Sequence, residues 1–315
     1  MTPRIVFMGT PDFAVASLDA IRTAGYDIAA VVTTPDRPAG RGQKVTASAV
    51  KTYAEAHHLP LMQPERLRDE HFIEALRQLH ADIFVVVAFR MLPQCVWEMP
   101  PMGTFNLHAS LLPRYRGAAP INRAIMNGEK ETGVTTFLLN EHIDEGAILL
   151  QETTPISDND NAETLHDRLA QMGRRIVVQT IDGLYHHRIV PQKQMVQTDI
   201  PVAPKIFKED CRINWNQDGL TVRNFIRGLS PYPAAFTTIQ NTSGDTLQLK
   251  IFDCQFVATT SPAPCRIETD GKKNMSIGVA NGKINIISLQ MSGKRRTDIT
   301  DFLRGHNVNN WIIDN

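Results

Sequence analysis

Short apolar runs alternate with helical patterns through the first half of the chain. The first run ends at Gly9, and a helical pattern follows it to about Ala24, just before Gly25. The runs that predict buried strands are 4–8, 28–32, 81–89, 104–109 and 134–139. Strands that alternate with helices assemble into a parallel, doubly wound sheet. We therefore expect a Rossmann-like α/β fold, which binds ligands beyond the carboxyl ends of its strands.

The second half of the chain has a different pattern. A long amphipathic helix is predicted over 161–187, and the proline-containing segment after it shows no hydrophobic period. The patterns that follow are a helix at 220–229 and strands at 246–256, 275–279 and 283–289. Asn281-Gly282 between two apolar runs indicates a hairpin. We expect a small OB-like β-barrel with an added helix. The predicted organisation is an α/β domain at 1–188, a linker at 189–204 and a barrel domain at 205–315.

Composition limits the class of protein. With 315 residues, 42% of them hydrophobic and 21% charged, the chain suits a folded protein of two domains. Basic and acidic residues each number 33, which excludes a uniformly basic nucleic-acid coat but leaves room for a local basic patch. No apolar run reaches the length of a membrane span, no signal-peptide pattern is present, and the four cysteines lie far apart. We expect a cytoplasmic monomer without a membrane contact, a disulfide framework or a metal.

Polar side chains interrupt the apolar strand at 104–109. Asn106, His108 and Ser110 alternate with apolar residues and therefore share one face of the strand, at its carboxyl end. A strand that emerges into solvent would give the same spacing, so the spacing alone leaves both interpretations open. The histidine that rivals His108 is His142, which lies in the same predicted loop as Asp144. A dinucleotide site is disfavoured because the turn after the first strand has one glycine, Gly9.

Several segments resemble a known family. Asn106-x-His108, the Ser-Leu-Leu-Pro run at 110–113, and Asp144 with Gly146 two positions later are similar to the active-site signature of the enzymes that use 10-formyltetrahydrofolate as formyl donor. The segments that resemble the methionyl-tRNA formyltransferase branch are 9–13, 35–42, 114–120, 203–206, 213–215 and 230–233. This resemblance covers nearly the whole chain. It implies formyl transfer to the amino group of methionyl-initiator-tRNA, which gives N-formylmethionyl-tRNA for translation initiation.

The chemistry of formyl transfer explains the residue types. The reaction passes through a tetrahedral intermediate with an oxyanion, and an amide donor such as Asn106 can stabilise it by about 3 kcal/mol. His108 can move protons near neutral pH, and Asp144 either fixes the histidine tautomer or relays the proton through water. By resemblance, the folate pocket is formed by Phe89, Arg90, Leu92, Ser110, Leu111, Leu112, Pro113 and Ile143. Arg90 stands where many relatives have glycine.

Positive charge is unevenly distributed along the chain. Residues 201–315 contain 14 Lys and Arg against 10 Asp and Glu, whereas the first 200 residues contain 19 against 23. A basic loop at 36–44 has almost no apolar anchor, so we expect it not to pack until an acidic partner orders it. An excess of 14 basic over 10 acidic residues in 201–315 is also typical of an ordinary solvated surface. The residues predicted to bind tRNA are Arg37, Arg41, Lys44, Lys205, Lys208, Lys294, Arg295 and Arg296.

Two alternative functions stay open from the sequence. The same first domain could formylate a small amine, such as a sugar-nucleotide amine or glycinamide ribonucleotide. Such an acceptor would need neither the second domain nor the basic loop. The other alternative is an RNA-binding protein without catalysis, which the presence of Asn106, His108 and Asp144 together disfavours.

Overall fold

The computed structural model describes residues 2–39, 44–195 and 198–314, and the chain divides into two compact units. The ranges of the first unit are Met1–Gly117, Glu131–Thr154 and His166–Val202. Those of the second unit are Ala118–Lys130, Pro155–Leu165 and Ala203–Asn315. The second unit therefore includes two short segments, Ala118–Lys130 and Pro155–Leu165, that lie between segments of the first unit along the chain. The domain boundaries expected from the sequence stay a prediction.

Most strands before residue 190 are separated by helices, whereas most strands after residue 230 follow one another directly. The strands of the first half are β1 (Arg4–Gly9), β2 (Asp27–Val32), β3 (Arg37–Ala39), β4 (Lys44–Thr46), β5 (Leu61–Met62), β6 (Ile83–Val87), β7 (Thr104–His108), β8 (Glu131–Leu138) and β9 (Ile148–Pro155). Those of the second half are β10 (Ala235–Gln240), β11 (Thr246–Ala258), β12 (Ile267–Thr269), β13 (Met275–Val279), β14 (Gly282–Met291), β15 (Thr297–Asp298) and β16 (Ile312–Asp314). The helices are α1 (Asp12–Thr23), α2 (Ala49–Ala56), α3 (Glu70–Gln78), α4 (Gln94–Trp97), α5 (Pro120–Met126), α6 (Ala162–Tyr185), α7 (Gly219–Leu229) and α8 (Ile299–Gly305).

A seven-stranded sheet organises the first unit, in the order β5-β2-β1-β6-β7-β8-β9. The pairs β1–β2, β1–β6, β2–β5 and β6–β7 are parallel, and β7–β8 is antiparallel. Strand β6 is buried along its whole length because apolar residues cover both of its faces. The parallel-dominated sheet confirms the Rossmann-like prediction. The direction first changes at β8, after the chain has passed through α5.

Helix α6 packs on this sheet by the stripe that the sequence predicts. Leu165, Leu169 and Ile176 are at most 1% exposed, and Thr180 is fully buried. The Thr180 hydroxyl lies 2.8 Å from that of Thr136 on β8, and it also donates to the Ile176 carbonyl at 2.7 Å. The buried Thr180 hydroxyl thus has protein hydrogen-bond partners.

The described ends of the basic segment at 36–44 pair with each other, which the sequence does not predict. Strands β3 and β4 form a two-stranded hairpin, with Arg37 opposite Thr46. Asp36 forms an ion pair with Lys51 at 2.6 Å and accepts a hydrogen bond from Gln63 at 2.9 Å. The expectation that the loop cannot pack is therefore wrong for its described ends, because backbone pairing and these polar contacts take the place of apolar anchors.

The second unit contains an antiparallel, barrel-like sheet. Its strand order is β12-β13-β14-β11-β10-β16, with β15 paired to β14. Trp215 is 1% exposed in its core, where its indole N–H donates to the Thr237 hydroxyl at 3.0 Å. A buried indole N–H needs such a partner. This sheet, with α7 against β11, confirms the predicted barrel with an added helix. None of the helices in the described ranges has the length and hydrophobicity of a membrane span.

Candidate active site

His108 and Asn106 lie at the carboxyl end of β7, between β6 and β8. Asn106 is opposite Val86 on one side and Phe137 on the other, and His108 is the last residue of the strand. His108 is 7% exposed, whereas Asn106 is half-buried. Alternation along β7 puts both side chains on one face, as the sequence predicts.

Asp144 approaches His108 from the loop between β8 and β9. One carboxylate oxygen, Oδ2, lies 3.8 Å from His108 Nδ1 and accepts a hydrogen bond from the Gly117 N–H at 2.9 Å. Asp144 has a φ of 56°, in the left-handed region that few residues other than glycine adopt. The rival histidine, His142, is 62% exposed in its side chain and lies 3.5 Å from Glu141. The structure therefore brings His108, and not His142, to Asp144.

A backbone carbonyl fixes the tautomer of His108. His108 Nε2 lies 2.8 Å from the Tyr115 carbonyl oxygen, which can only accept a hydrogen bond. Nε2 must therefore carry a hydrogen, and in the neutral ring Nδ1 holds the lone pair. The 3.8 Å from Nδ1 to Asp144 is longer than a hydrogen bond but within ion-pair distance. Nδ1 is thus the nitrogen that can gain a proton beside the carboxylate.

The segment after β7 is held by buried polar contacts. Ser110 is fully buried and its hydroxyl donates to the Arg114 carbonyl at 2.7 Å. The Thr135 hydroxyl donates to the Ser110 carbonyl at 2.6 Å and accepts from the Leu112 N–H at 3.2 Å. Gln151 donates to the Leu112 carbonyl at 2.8 Å. These bonds fix the path of the segment that resembles a folate-binding motif.

The residues expected to bind folate divide by accessibility. Buried members are Leu92, Ser110 and Leu112, which are at most 7% exposed. Accessible members are Phe89, Arg90, Leu111, Pro113 and Ile143, the last of which is 60% exposed. The accessible group offers surface that a ligand could contact, whereas the buried group offers little.

Arg90 is bound to the protein itself. Its guanidinium donates to the Pro64 carbonyl at 2.8 Å and to the Glu65 carbonyl at 3.0 Å, and it lies 5.3 Å from the centre of the Phe89 ring. Burial lowers the pKa of the Arg90 guanidinium, and repulsion from Arg37 lowers it further. The side chain therefore joins the segment after β6 to the segment at 64–65.

The residues expected to bind RNA lie on several segments. Arg37, Lys205, Lys208, Lys294 and Arg295 are exposed. Arg41 lies outside the described residues, and nothing is described of the Lys44 side chain. Arg296 is exposed as well, and its guanidinium donates to the Ser288 hydroxyl at 2.7 Å and lies 4.7 Å from the centre of the Phe252 ring.

Sequence reasoning missed the groups that position Asp144 and His108. The Tyr115 carbonyl and the Gly117 N–H are backbone groups. Every residue except proline has both groups, so the amino-acid sequence does not indicate which of them contact the site. Gln194 lies in the segment interpreted as a linker, yet it is 6% exposed and hydrogen-bonds the Asp144 loop. Because that segment has no hydrophobic period, its sequence does not predict that Gln194 contacts the loop of Asp144. Among the described residues, no group of His, Cys, Asp and Glu could hold a metal ion.

Family models match both halves of the chain. The model described as formyl transferase matches residues 3–181, and the model described as formyl transferase, C-terminal domain, matches residues 205–307. The chain belongs to the formyl transferase family. This confirms the resemblance seen in the motifs around Asn106, His108 and Asp144, and it identifies the protein as an enzyme.

Curated relatives in this formyl transferase family match over nearly the full chain. A methionyl-tRNA formyltransferase of Bacteroides fragilis is 51% identical over 309 residues, which cover 97% of this chain and 95% of that protein. A methionyl-tRNA formyltransferase of Flavobacterium johnsoniae is 47% identical over 302 residues, which cover 96% of each.

Solved structures share the fold of this formyl transferase at low identity. The sugar 3N-formyl transferase WlaRD, solved with dTDP and 5-N-formyl-THF, is 20% identical, with a TM-score of 0.65 and coverage of 94% of this chain and 100% of that chain. HypX from Aquifex aeolicus in complex with tetrahydrofolic acid is 17% identical, with a TM-score of 0.64 and coverage of 96% and 47%. At these identities the likeness concerns the fold alone.

Proposed function

We propose that this chain transfers the formyl group of 10-formyltetrahydrofolate to the amino group of methionyl-initiator-tRNA. The product is N-formylmethionyl-tRNA, which serves translation initiation. The observation that carries the proposal is the placement of Asp144 3.8 Å from His108 Nδ1, beside Asn106 on the same strand face. Relatives that are about half identical over nearly the whole chain bear the name of this activity.

Asn106 is assigned to the oxyanion of the tetrahedral intermediate. Its amide makes no hydrogen bond to any residue in the described ranges, and its side chain is half-buried. An amide that is free of protein partners can donate to a substrate oxygen without first breaking a bond. A donor of this kind lowers the barrier by about 3 kcal/mol, or roughly a hundredfold in rate.

His108 is assigned to proton transfer. The Tyr115 carbonyl holds the Nε2 hydrogen, so Nδ1 is the position that takes the proton from the attacking amine. Asp144 lies next to Nδ1 and stabilises the positive charge that then forms on the ring. The proton can return from Nδ1 to the folate nitrogen as the carbon–nitrogen bond to the formyl group breaks. In this order of steps, His108 acts first as the base and then as the acid.

We place the folate against accessible residues that follow β6, β7 and β8. Phe89, Leu111 and Pro113 offer apolar surface at the carboxyl ends of the neighbouring parallel strands β6 and β7. Ile143 adds apolar surface from the loop between β8 and β9. Buried Leu92 and Leu112 support them from below. Ile143, at 60% exposure, has more apolar surface to lose to a ligand than the other accessible residues whose exposure is intermediate.

A basic cavity in the second unit supports RNA as the acceptor. The cavity has a volume of about 460 Å³, and its lining includes Lys205, Lys208, Lys250 and Tyr232. Tyr232 is 83% exposed, and the Lys205 ammonium lies 5.2 Å from the centre of the Phe207 ring. Lysines attract phosphates and exposed aromatic rings stack on unpaired bases. A small acceptor amine would not require lysines and exposed aromatic rings together in one cavity.

The organisation of the enzyme follows from these assignments. We place catalysis in residues 1–188 and tRNA binding in residues 205–315, with residues 189–204 between them. We further propose that the enzyme acts as a monomer in the cytoplasm, where aminoacylated tRNA is present.

An acceptor comparison tests the proposed function. The protein is mixed with 10-formyltetrahydrofolate and, separately, methionyl-initiator-tRNA, methionyl-elongator-tRNA, glycinamide ribonucleotide and a sugar-nucleotide amine. We expect N-formylmethionine only from the initiator tRNA, with uncharged initiator tRNA as the blank. Formylation of a small amine while the charged initiator tRNA stays unmodified would contradict the proposal.

A matched pair of variants tests the RNA surface. Lys205→Ala should raise the KM for tRNA and leave the KM for folate unchanged, because Lys205 lines the basic cavity. The control is Lys272→Ala, which removes another exposed lysine of the second unit that does not line this cavity. Equal effects of the two substitutions would place the RNA elsewhere.

A further inference from the structure

Gln194 makes hydrogen bonds through every part of its side-chain amide. Nε2 donates to the Asp144 carbonyl and to the Gly146 carbonyl, both at 2.9 Å. Oε1 accepts from Arg116 through Nη2 at 2.7 Å and through Nε at 3.2 Å. A primary amide has two donor hydrogens and two acceptor lone pairs, so its capacity is fully used. The side chain is 6% exposed, so water does not compete readily for these bonds.

These bonds join the two segments that hold the Asp144 carboxylate. On one side Gln194 binds the backbone of the turn that carries Asp144. On the other side it binds Arg116, whose neighbour Gly117 donates its N–H to Asp144 Oδ2 at 2.9 Å. Arg116 also donates to Glu145 at 2.7 Å, which adds a second connection between the same segments. The side chain of Gln194 thus sets the distance between the turn and the donor that aims the carboxylate.

The position of the turn matters because the contact with His108 is loose. Asp144 Oδ2 lies 3.8 Å from His108 Nδ1, outside hydrogen-bond distance. Asp144 also holds a left-handed backbone conformation, with φ at 56°, which favours glycine and therefore needs support from its surroundings. The two carbonyls that Gln194 binds belong to Asp144 itself and to a residue two positions later. Without that support, the turn can relax and carry the carboxylate away from the histidine.

We infer that Gln194 is a positioning residue for formyl transfer, which acts by holding Asp144 at the distance from His108 that proton transfer requires. This inference rests on the proposed roles of His108 and Asp144. Gln194 has no direct contact with His108 in this arrangement, so its whole effect on turnover passes through Asp144. Loss of its hydrogen bonds should lower kcat and leave the KM values for folate and tRNA nearly unchanged.

The experiment is a double-mutant cycle between Gln194 and Asp144. Gln194→Met keeps the length of the side chain and removes all of its strong hydrogen bonds. Displacements of about 1 Å at a catalytic group can cost up to a hundredfold in rate, so we expect kcat to fall roughly 10- to 100-fold. In an Asp144→Asn background the same substitution should lower kcat less than about threefold, since the carboxylate it positions is already gone. The matched control is Gln192→Met, an exposed glutamine of the same segment, which should leave kcat unchanged.

Gln194→Glu separates the two halves of the contact and keeps the side-chain volume. The carboxylate can still accept from Arg116, but it cannot donate to the Asp144 and Gly146 carbonyls. We expect this variant to fold and to lose kcat as Gln194→Met does. If both substitutions lower the melting temperature and leave kcat intact, Gln194 is merely structural and the inference is wrong.

The cycle also distinguishes this inference from the proposed function. Equal losses of kcat from Gln194→Met in both backgrounds would overturn the inference while leaving the role of Asp144 intact. Near-normal turnover of Asp144→Asn itself would overturn the role of Asp144, and the inference with it.

Discussion

Gly146 gives the sharpest test of how precisely the Asp144 turn must be placed. A Cβ atom at this position would lie 1.6 Å from the Leu138 carbonyl oxygen and 3.3 Å from the Phe137 ring. The oxygen belongs to the backbone of β8, so a side-chain rotation cannot relieve the clash. Gly146→Ala therefore has to displace the turn that carries Asp144.

The size of the displacement follows from the contact. Real Cβ atoms do not approach within 3.0 Å of such an atom, so the backbone around residue 146 must move by about 1.4 Å. The carbonyl of Gly146 is also a partner of Gln194, and that hydrogen bond at 2.9 Å would be stretched or lost. If Asp144 has the proposed catalytic role, a shift of this size corresponds to a loss of kcat on the order of a hundredfold.

The assay is single-turnover formyl transfer with both substrates saturating, together with a thermal unfolding curve. Gly305→Ala is the control, because a Cβ at this exposed position in α8 would meet nothing within 4 Å. We expect normal turnover from Gly305→Ala and a large loss from Gly146→Ala. If Gly146→Ala turned over within about threefold of the unmodified enzyme at the same melting temperature, the claimed precision of the turn would be wrong.

Three further predictions address the folate pocket, the RNA and the acid side of the stability curve. Leu112→Asp should lower the melting temperature because Leu112 is 3% exposed. Ile143→Asp, at a position that is 60% exposed, should weaken folate binding in a titration and leave the melting temperature unchanged. The reverse pattern would contradict the division of the predicted folate residues into a buried and an accessible group. Arg41→Ala should raise the KM for tRNA and flatten the dependence of tRNA affinity on salt, without an effect on folate; an affinity for tRNA that is already flat with salt would argue against this contact. The hydrogen bond from Tyr53 lowers the pKa of Asp19 from its ordinary 3.8, so this carboxylate stabilises the fold above that pH and ceases to do so as the pH falls through its lowered value. Asp19→Asn should therefore be less stable than the unmodified protein at pH 7, and its melting temperature should fall less on acidification; parallel curves would contradict the assignment.

The order of elements and part of the site follow from the sequence for clear physical reasons. Residues 81–89 are apolar almost throughout, and β6 is accordingly buried on both faces. Alternation along 104–109 places Asn106 and His108 on one face before any fold is known. Strand β9 was missed because it is half exposed, with buried residues at only two of its eight positions, so its sequence shows no clean alternation.

The parts that the sequence did not predict depend on backbone groups and on contacts between distant segments. The Tyr115 carbonyl, which sets the tautomer of His108, and the Gly117 N–H, which aims Asp144, have no signature in side chains. Gln194 is 50 residues from Asp144 along the chain, and nothing in its local sequence indicates that the two meet. The pairing of β3 with β4 was missed because these strands are held by backbone hydrogen bonds in a segment that has few apolar residues.

We propose that Asn106, His108 and Asp144 together carry out formyl transfer. The most direct test is the single-turnover rate of N-formylmethionyl-tRNA formation by Asn106→Ala, His108→Ala and Asp144→Ala, with both substrates saturating and the folded state verified by thermal unfolding. We expect each rate to fall by a factor on the order of 10² or more, and combined substitutions to cost less than the product of the separate losses. A near-normal rate from any one of the three folded variants would contradict the role given to that residue.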